Sequence, residues 1–168
     1  MEELFNELKE EFTDVIVEIQ EKDFPTIICK RSGFLEFVKY LDEKGFKYLI
    51  DLCGVDYLNY PKKSFEERFE VVYHLYNLDT KVLLRLKVRI PEEDCWHHSV
   101  TPLWRTADFF ERECYDMFGI KFKGHPNLKR VLMPDDWEGH PLRKDYPLYL
   151  EEEQEWETYK KIAQKYKR

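Results

Sequence analysis

The sequence predicts an α+β fold: helices packed on one face of a mostly antiparallel sheet, followed by a long irregular C-terminal arm and a terminal helix. Three observations carry this reading. Segments with apolar residues at helical spacing alternate with β-rich segments over residues 2–90, the pattern of a helix layer on a sheet. The turn Asn77-Leu78-Asp79-Thr80 joins two β-rich runs as a hairpin, which makes that pair antiparallel. Residues 111–148 open as a helix and then lose all periodicity. They hold four of the chain's eight prolines and three of its six glycines, which forbid a continuous helix and interrupt any central strand.

Each element follows from its local pattern. Leu4, Phe5, Leu8 and Phe12 share one helical face over residues 2–13. Val15, Val17 and Ile19 alternate as in a half-buried strand, and residues 26–29 give a second strand after the turn at Asp23-Phe24-Pro25. Ser32 is placed to cap a helix that buries Phe34, Leu35, Val38 and Leu41 and ends with Gly45 at its C′ position. Residues 48–58 read as a strand, and residues 69–76 and 82–90 flank the hairpin turn. Pro91 and the acids after it end the sheet. A connector holds Trp96, His97 and His98, whose adjacent histidines cannot share a strand face. Thr106 or Asp108 would then cap a helix running through Met117, with Phe109, Phe110, Cys114 and Met117 facing inward. The last segment, from residue 149, has acids first and bases last, which complements a helix dipole, and Glu157 with Lys161 is a favourable pair. The expected division is a globular unit of residues 1–117 and an arm with a terminal helix over residues 118–168.

Composition excludes several classes. The chain has 168 residues and a formal charge of −7, whereas a nucleic-acid binder normally shows a basic excess. The N-terminus is amphipathic and acidic, unlike a signal peptide, and no apolar run is long enough to span a membrane. Cys29, Cys53, Cys95 and Cys114 show no C-x-x-C spacing, so zinc and iron–sulfur signatures are absent; the expectation is a cytosolic chain with reduced thiols. Neither G-x-x-x-x-G-K nor G-x-G-x-x-G occurs, so nucleotide binding has no support.

The arm is too apolar for a disordered linker: it carries Phe118, Ile120, Leu132, Trp137, Leu142 and Leu148 among others. Long irregular segments in compact domains are usually functional, and this one reads as a partner-binding arm. His125 and His140 each sit in a G-H-P tripeptide, where a metal role competes with simple turn chemistry, and no familiar ligand spacing surrounds them. Glu111, Arg112, Glu113 and Asp116 read first as a salt-bridged helix end, with Arg112 and Asp116 at i,i+4; an acid/base pair and an interface network are the other readings. Arg130, Arg143, Lys144 and Asp145 near Trp137 and Tyr146 have the composition of interface anchors.

The run ERE-x-x-D-M-F-G-I, followed by G-H-P-N-L-K-R-V-L-M-P-D-D-W-x-G-H-P-L-R-K-D-Y-P, resembles the signature of the 30-kDa subunit family of respiratory NADH:quinone oxidoreductase, complex I. The resemblance implies a peripheral-arm subunit with no cofactor of its own. FMN and iron–sulfur clusters would sit in partner subunits. It would pack beside the quinone-site and iron–sulfur subunits on the cytoplasmic side of the membrane, while the whole proton-translocating complex moves electrons from NADH to quinone. The isolated chain would then have no catalytic residues. Its expected partner contacts are Glu111, Arg112, Glu113, Asp116, His125, Arg130, Trp137, His140, Arg143, Lys144, Asp145 and Tyr146. One departure is Asp108-Phe109, where the family often shows Asn-Trp. Related subunits occur in membrane-bound [NiFe] hydrogenases. Readings of other classes are an independent soluble hydrolase using Glu111, Glu113 and His125, and an assembly chaperone.

Overall fold

A computed structural model describes residues 2–21, 24–148 and 157–166 of the chain. The elements are α1 (Glu2–Glu11), β1 (Ile16–Gln20), β2 (Thr26–Cys29), α2 (Phe34–Glu43), β3 (Tyr48–Asp56), β4 (Phe69–Asn77), β5 (Val82–Ile90), β6 (Trp96–His98), α3 (Ala107–Phe118), β7 (Lys121–Lys123) and α4 (Glu157–Tyr166). Five strands form one sheet in the order β1-β2-β5-β4-β3. Every neighbouring pair is antiparallel except β2 with β5. The fold is the expected α+β arrangement. The one parallel pair within this five-stranded sheet joins strands separated by α2, β3 and β4, which local sequence patterns do not encode.

The strands sort their faces by period two. On β4 and β5 the inward pairs are Phe69 with Ile90, Val71 with Val88, Tyr73 with Leu86 and Leu75 with Leu84, all at 0% exposure. The outward pairs include Glu70 with Arg89 and His74 with Arg85. Phe5 and Leu8 of α1, Phe34, Phe37, Val38 and Leu41 of α2, and Cys114 and Met117 of α3 join the inward side chains in one apolar core. Asn77 builds the predicted hairpin: its Oδ1 accepts the N–H groups of Asp79 and Thr80. Gly45 ends α2 at φ 96°, with its N–H donating to Asp42 and that of Phe46 to Leu41.

Four local expectations are corrected. Gly33, at φ 74°, is the N-cap of α2 rather than Ser32; the chain approaches so closely there that a Cβ would meet Val15 Cγ2 at 2.6 Å. Phe37, fully buried, takes the core position assigned to Leu35. Val17 is exposed, because the pairing of β1 with β2 slips between Ile16 and Glu18 and breaks the alternation. Residues 96–98 are strand β6, which pairs in parallel with β7 through Trp96–Lys121, His97–Phe122 and His98–Lys123. The two histidines do point apart, with His97 fully buried and His98 not.

Candidate partner-binding arm

Helix α3 is the hinge between sheet and arm. Thr106 is at its N-cap position, but the hydroxyl donates to the Leu49 carbonyl of β3 instead of capping the helix. Phe109 is 63% exposed, contrary to its expected inward position; the helix turns Ala107, Glu111 and Cys114 into the core. Gly119 ends the helix at φ 77°, and a Cβ there would lie 2.6 Å from His140 Nε2 and 2.7 Å from Arg143 Nη2. Glycine is therefore required twice at this position, for backbone handedness and for close approach of the arm.

Asp116 organises the first part of the arm. Its Oδ2 accepts three successive backbone N–H groups, from Val131 at 3.0 Å, Leu132 at 2.8 Å and Met133 at 2.9 Å. Its Oδ1 accepts Arg130 Nη1 at 2.6 Å, and its backbone carbonyl accepts His140 Nδ1 at 2.9 Å. The carboxylate sits in a nest of N–H dipoles with a guanidinium alongside. Burial pushes its pKa up, but the Met133 N–H, the Arg130 guanidinium and the Leu132 and Val131 N–H groups outweigh it, so the net shift is downward. Arg130 also donates through Nη2 to the carbonyls of Trp137 and Gly139, which folds the arm back on itself.

A second clasp holds the RKDYP end. Arg68, only 6% exposed, makes forked contacts with two carboxylates: Nε and Nη2 reach Asp56 at 3.1 and 2.8 Å, and Nη1 and Nη2 reach Asp145 at 3.0 and 2.6 Å. Glu92 adds a further contact at 2.6 Å. Asp56 closes the loop by accepting the Lys144 backbone N–H at 2.8 Å. Burial raises the pKa of Asp56, but the Arg68 hydrogen bonds and the Lys144 and Leu58 N–H groups bring it below its ordinary value. The pairing with Asp56 and then Asp145 raises that of Arg68. Arg143 Nε donates to the Phe118 carbonyl at 2.7 Å and its guanidinium lies over the Phe69 ring, while the Leu142 N–H meets the Met117 carbonyl.

The remaining predicted contacts have ordinary partners. The Arg112–Asp116 pair does not form, because Asp116 is taken by Arg130. Arg112 instead donates to the carbonyls of Lys129 and Arg130 and lies 4.0 Å from Asp108. His125 Nδ1 accepts the Asn127 N–H, which leaves Nε2 to donate to the Asp108 carbonyl at 3.1 Å. Tyr146 donates to the Glu138 carbonyl and covers Gly139. Trp137 is half-buried, and Glu113 and the Lys144 side chain face solvent. Trp156 lies outside the described residues. Among the described residues no group of three or more His, Cys, Asp or Glu side chains could hold a metal ion. No helix among them is long and apolar enough to cross a membrane. Sequence reasoning missed Asp56, Arg68 and Glu92; they lie in or beside strands, and nothing local marks Arg68 and Asp56 as partners of residues 77 and 88 positions later, or Glu92 as a partner of Arg68.

Known proteins resemble this chain in sequence and in architecture. Residues 27–152 match the family described as respiratory-chain NADH dehydrogenase, 30 Kd subunit. The C subunit of NADH-quinone oxidoreductase from Citrifermentans bemidjiense is 48% identical over 143 residues, covering 84% of this chain and 86% of that protein. NADH-quinone oxidoreductase subunit 5 of Thermus thermophilus is 46% identical over 129 residues, covering 73% of this chain and 61% of that protein. The solved trypsin-resistant fragment of Nqo5 is 36% identical, with a TM-score of 0.67 over 76% of this chain and 98% of the fragment. A chain of an archaeal membrane-bound sulfane sulfur reductase is 23% identical with a TM-score of 0.72 over 99% of this chain and 91% of its own, a likeness of fold alone. The matched span takes in strands β3, β4 and β5, α3 and both clasps, and on it the chain belongs to the respiratory-chain NADH dehydrogenase 30-kDa subunit family.

Proposed function

We propose that the chain is a structural subunit, without a cofactor of its own, in the peripheral arm of a proton-translocating NADH:quinone oxidoreductase. It sits on the cytoplasmic side of the membrane and helps assemble the quinone-site and iron–sulfur subunits, which carry the redox centres. The observation behind this reading is the family match, which runs into the arm as far as residue 152, together with the relatives that are themselves NADH-quinone oxidoreductase subunits. The unit of residues 1–117 is the platform, and residues 118–168 are the partner-binding part. Its clasps do the work expected of a preorganised binder: Asp116 and Arg68 fix the arm's backbone before association, so less ordering is left to the encounter. Leu132 and Leu142, both more than half exposed, are then presented to the partner, as is Phe109 of α3. Arg112, Glu113, His125, Trp137, Lys144 and Tyr146 line the same region.

The test is purification of the tagged full chain from its own membranes. Stoichiometric recovery with flavin- and iron–sulfur-bearing subunits, and NADH:quinone reductase activity in the preparation, is the expected result. Recovery with a hydrogenase or with subunits serving another electron donor would replace the donor in this reading. Hydrolytic activity of the chain by itself, with no co-purifying subunits, would reject it.

A further inference from the structure

Strand β3 carries one residue more than the stretch of β4 it pairs with. Tyr48 and Leu49 stand opposite Tyr76 and Leu75, but Asp51 stands opposite His74, so Ile50 has no residue facing it on β4. A bulge of this kind bends the strand and re-aims the side chains beside it. In unbroken register Ile50 would face His74, and Asp51 would face Tyr73. With the bulge, Ile50 is left 54% exposed and Asp51 comes across from His74. His74 is in turn paired with Arg85 of β5, so one row of side chains crosses three strands on the outward face of the sheet. The contacts follow the row. Arg85 Nε donates to His74 Nε2 at 2.9 Å, and His74 Nδ1 lies 3.5 Å from Asp51 Oδ2. The Arg85 guanidinium also lies over the ring of Phe24, 5.2 Å from its centre, just ahead of β2.

Arginine keeps its protons, so the Nε2 it bonds is the acceptor, and the neutral imidazole carries its own proton on Nδ1, towards the carboxylate. A second proton would have to go on Nε2. It would consume the lone pair that Arg85 uses and set two cations side by side, while the ring became a charged partner for Asp51. We propose that Asp51, His74 and Arg85 form an acid-released latch across β3, β4 and β5: neutral His74 holds Arg85, and protonated His74 lets Arg85 go and pairs with Asp51. The charged groups facing the ring are Asp51 of β3 and Arg85 and Lys87 of β5. Burial first, then the Arg85 charge and to a lesser degree that of Lys87, hold the His74 pKa below its ordinary value and outweigh the pull of Asp51. The latch is therefore closed at neutral pH and opens on acidification. Lys87 has its own partner in Glu70 at 3.1 Å, so Arg85 is the cation that moves. The latch belongs to the sheet and does not depend on the proposed partners.

Nitrogen NMR of the isotope-labelled full chain tests it, from about pH 8 to about pH 4.5, a range that spans the ordinary histidine value. The His74 signals are identified by their loss in His74→Gln. At the upper end the ring should show a protonated Nδ1 and a bare Nε2; a protonated Nε2 would overturn the latch. On acidification the Arg85 Nε–H signal should shift with the same midpoint as His74, below the ordinary histidine value. An Arg85 signal indifferent to the His74 titration would overturn the release. Two variants then separate the partners. Arg85→Met removes the cation and the donor together and should raise the His74 midpoint, whereas Asp51→Asn removes the carboxylate and should lower it. Midpoints unchanged in both variants would mean that the ring titrates without regard to either neighbour, and the latch would be rejected.

Discussion

The sheet and the arm are both ordered, but by different means. Between Phe69 and Ile90 alternate side chains vanish into a shared apolar core. From Lys123 to Leu148 no residue is fully buried, yet the backbone follows a defined path. What fixes it is a set of hydrogen bonds to polar groups on the platform, chiefly the Asp116 carboxylate and the Asp56–Arg68 pair. Apolar burial scales with area and tolerates substitution of similar volume. A carboxylate holding three N–H groups and a guanidinium does not, since every donor left behind is unpaired. An arm built this way keeps Leu132, Leu142 and Leu148 at the surface and still has a shape.

Breaking the arm's anchor should therefore do more than breaking any one of its surface contacts. Asp116→Ala removes the acceptor for Arg130 and for three backbone N–H groups, and should destabilise the isolated chain by about 3–5 kcal/mol, read by denaturant unfolding. Trypsin should then cut between Lys121 and Lys144 faster than in wild type. An unchanged cleavage rate would mean that the nest does not hold the arm. Acid should act on the same anchors reversibly. The Asp116 and Asp56 pKa values are lowered, so their contribution is present above the ordinary aspartate range and is lost as pH falls through the lowered values. Proteolysis by an acid-active protease should open the arm before the sheet melts; simultaneous loss would contradict the two-region picture.

A smaller effect is expected from Arg68→Lys, which keeps the charge but loses the forks to Asp56 and Asp145. Roughly 1–3 kcal/mol should disappear in urea titration, with Asp145 contributing the lesser share because its side chain is half exposed. Leu132→Glu should be the mildest on folding, within about 0.5 kcal/mol of wild type, since the residue is 59% exposed. Recovery of the assembled complex should nonetheless fall. If stability and assembly fall together for this variant, the leucine is packed within the subunit and the arm's surface role is wrong.

The sheet was largely readable from sequence because its signals are local. The Asn77 turn, Gly45 and Pro91 each act within a few residues, and the fold class followed from them. Where a local rule failed, a nearby tertiary contact had taken over: Thr106 bonds to Leu49 instead of capping α3, and a register slip turned Val17 outward. The arm's residues were also visible as a motif, but their partners were not. Helical spacing offered Arg112 to Asp116, whereas the structure gives Asp116 to Arg130, fourteen positions on, at 2.6 Å. No periodicity links Lys144 to Asp56 across 88 positions. Which surface a partner covers is a property of two chains and is not written in either period.

The second clasp also constrains the order of events in folding. Asp56 ends strand β3 and Arg68 lies just before β4, and their partners Lys144 and Asp145 come 88 and 77 positions later. Contacts of such separation carry a loop-closure cost and form late. During synthesis the sheet has been translated in full well before residue 145 emerges, so for that interval Arg68 can pair with Asp56 and Glu92 alone. The final link is a zip of the nascent tail onto a finished surface. A ribosome pausing near the arm would hold the chain at that stage, with the platform folded and its C-terminal grip not yet closed.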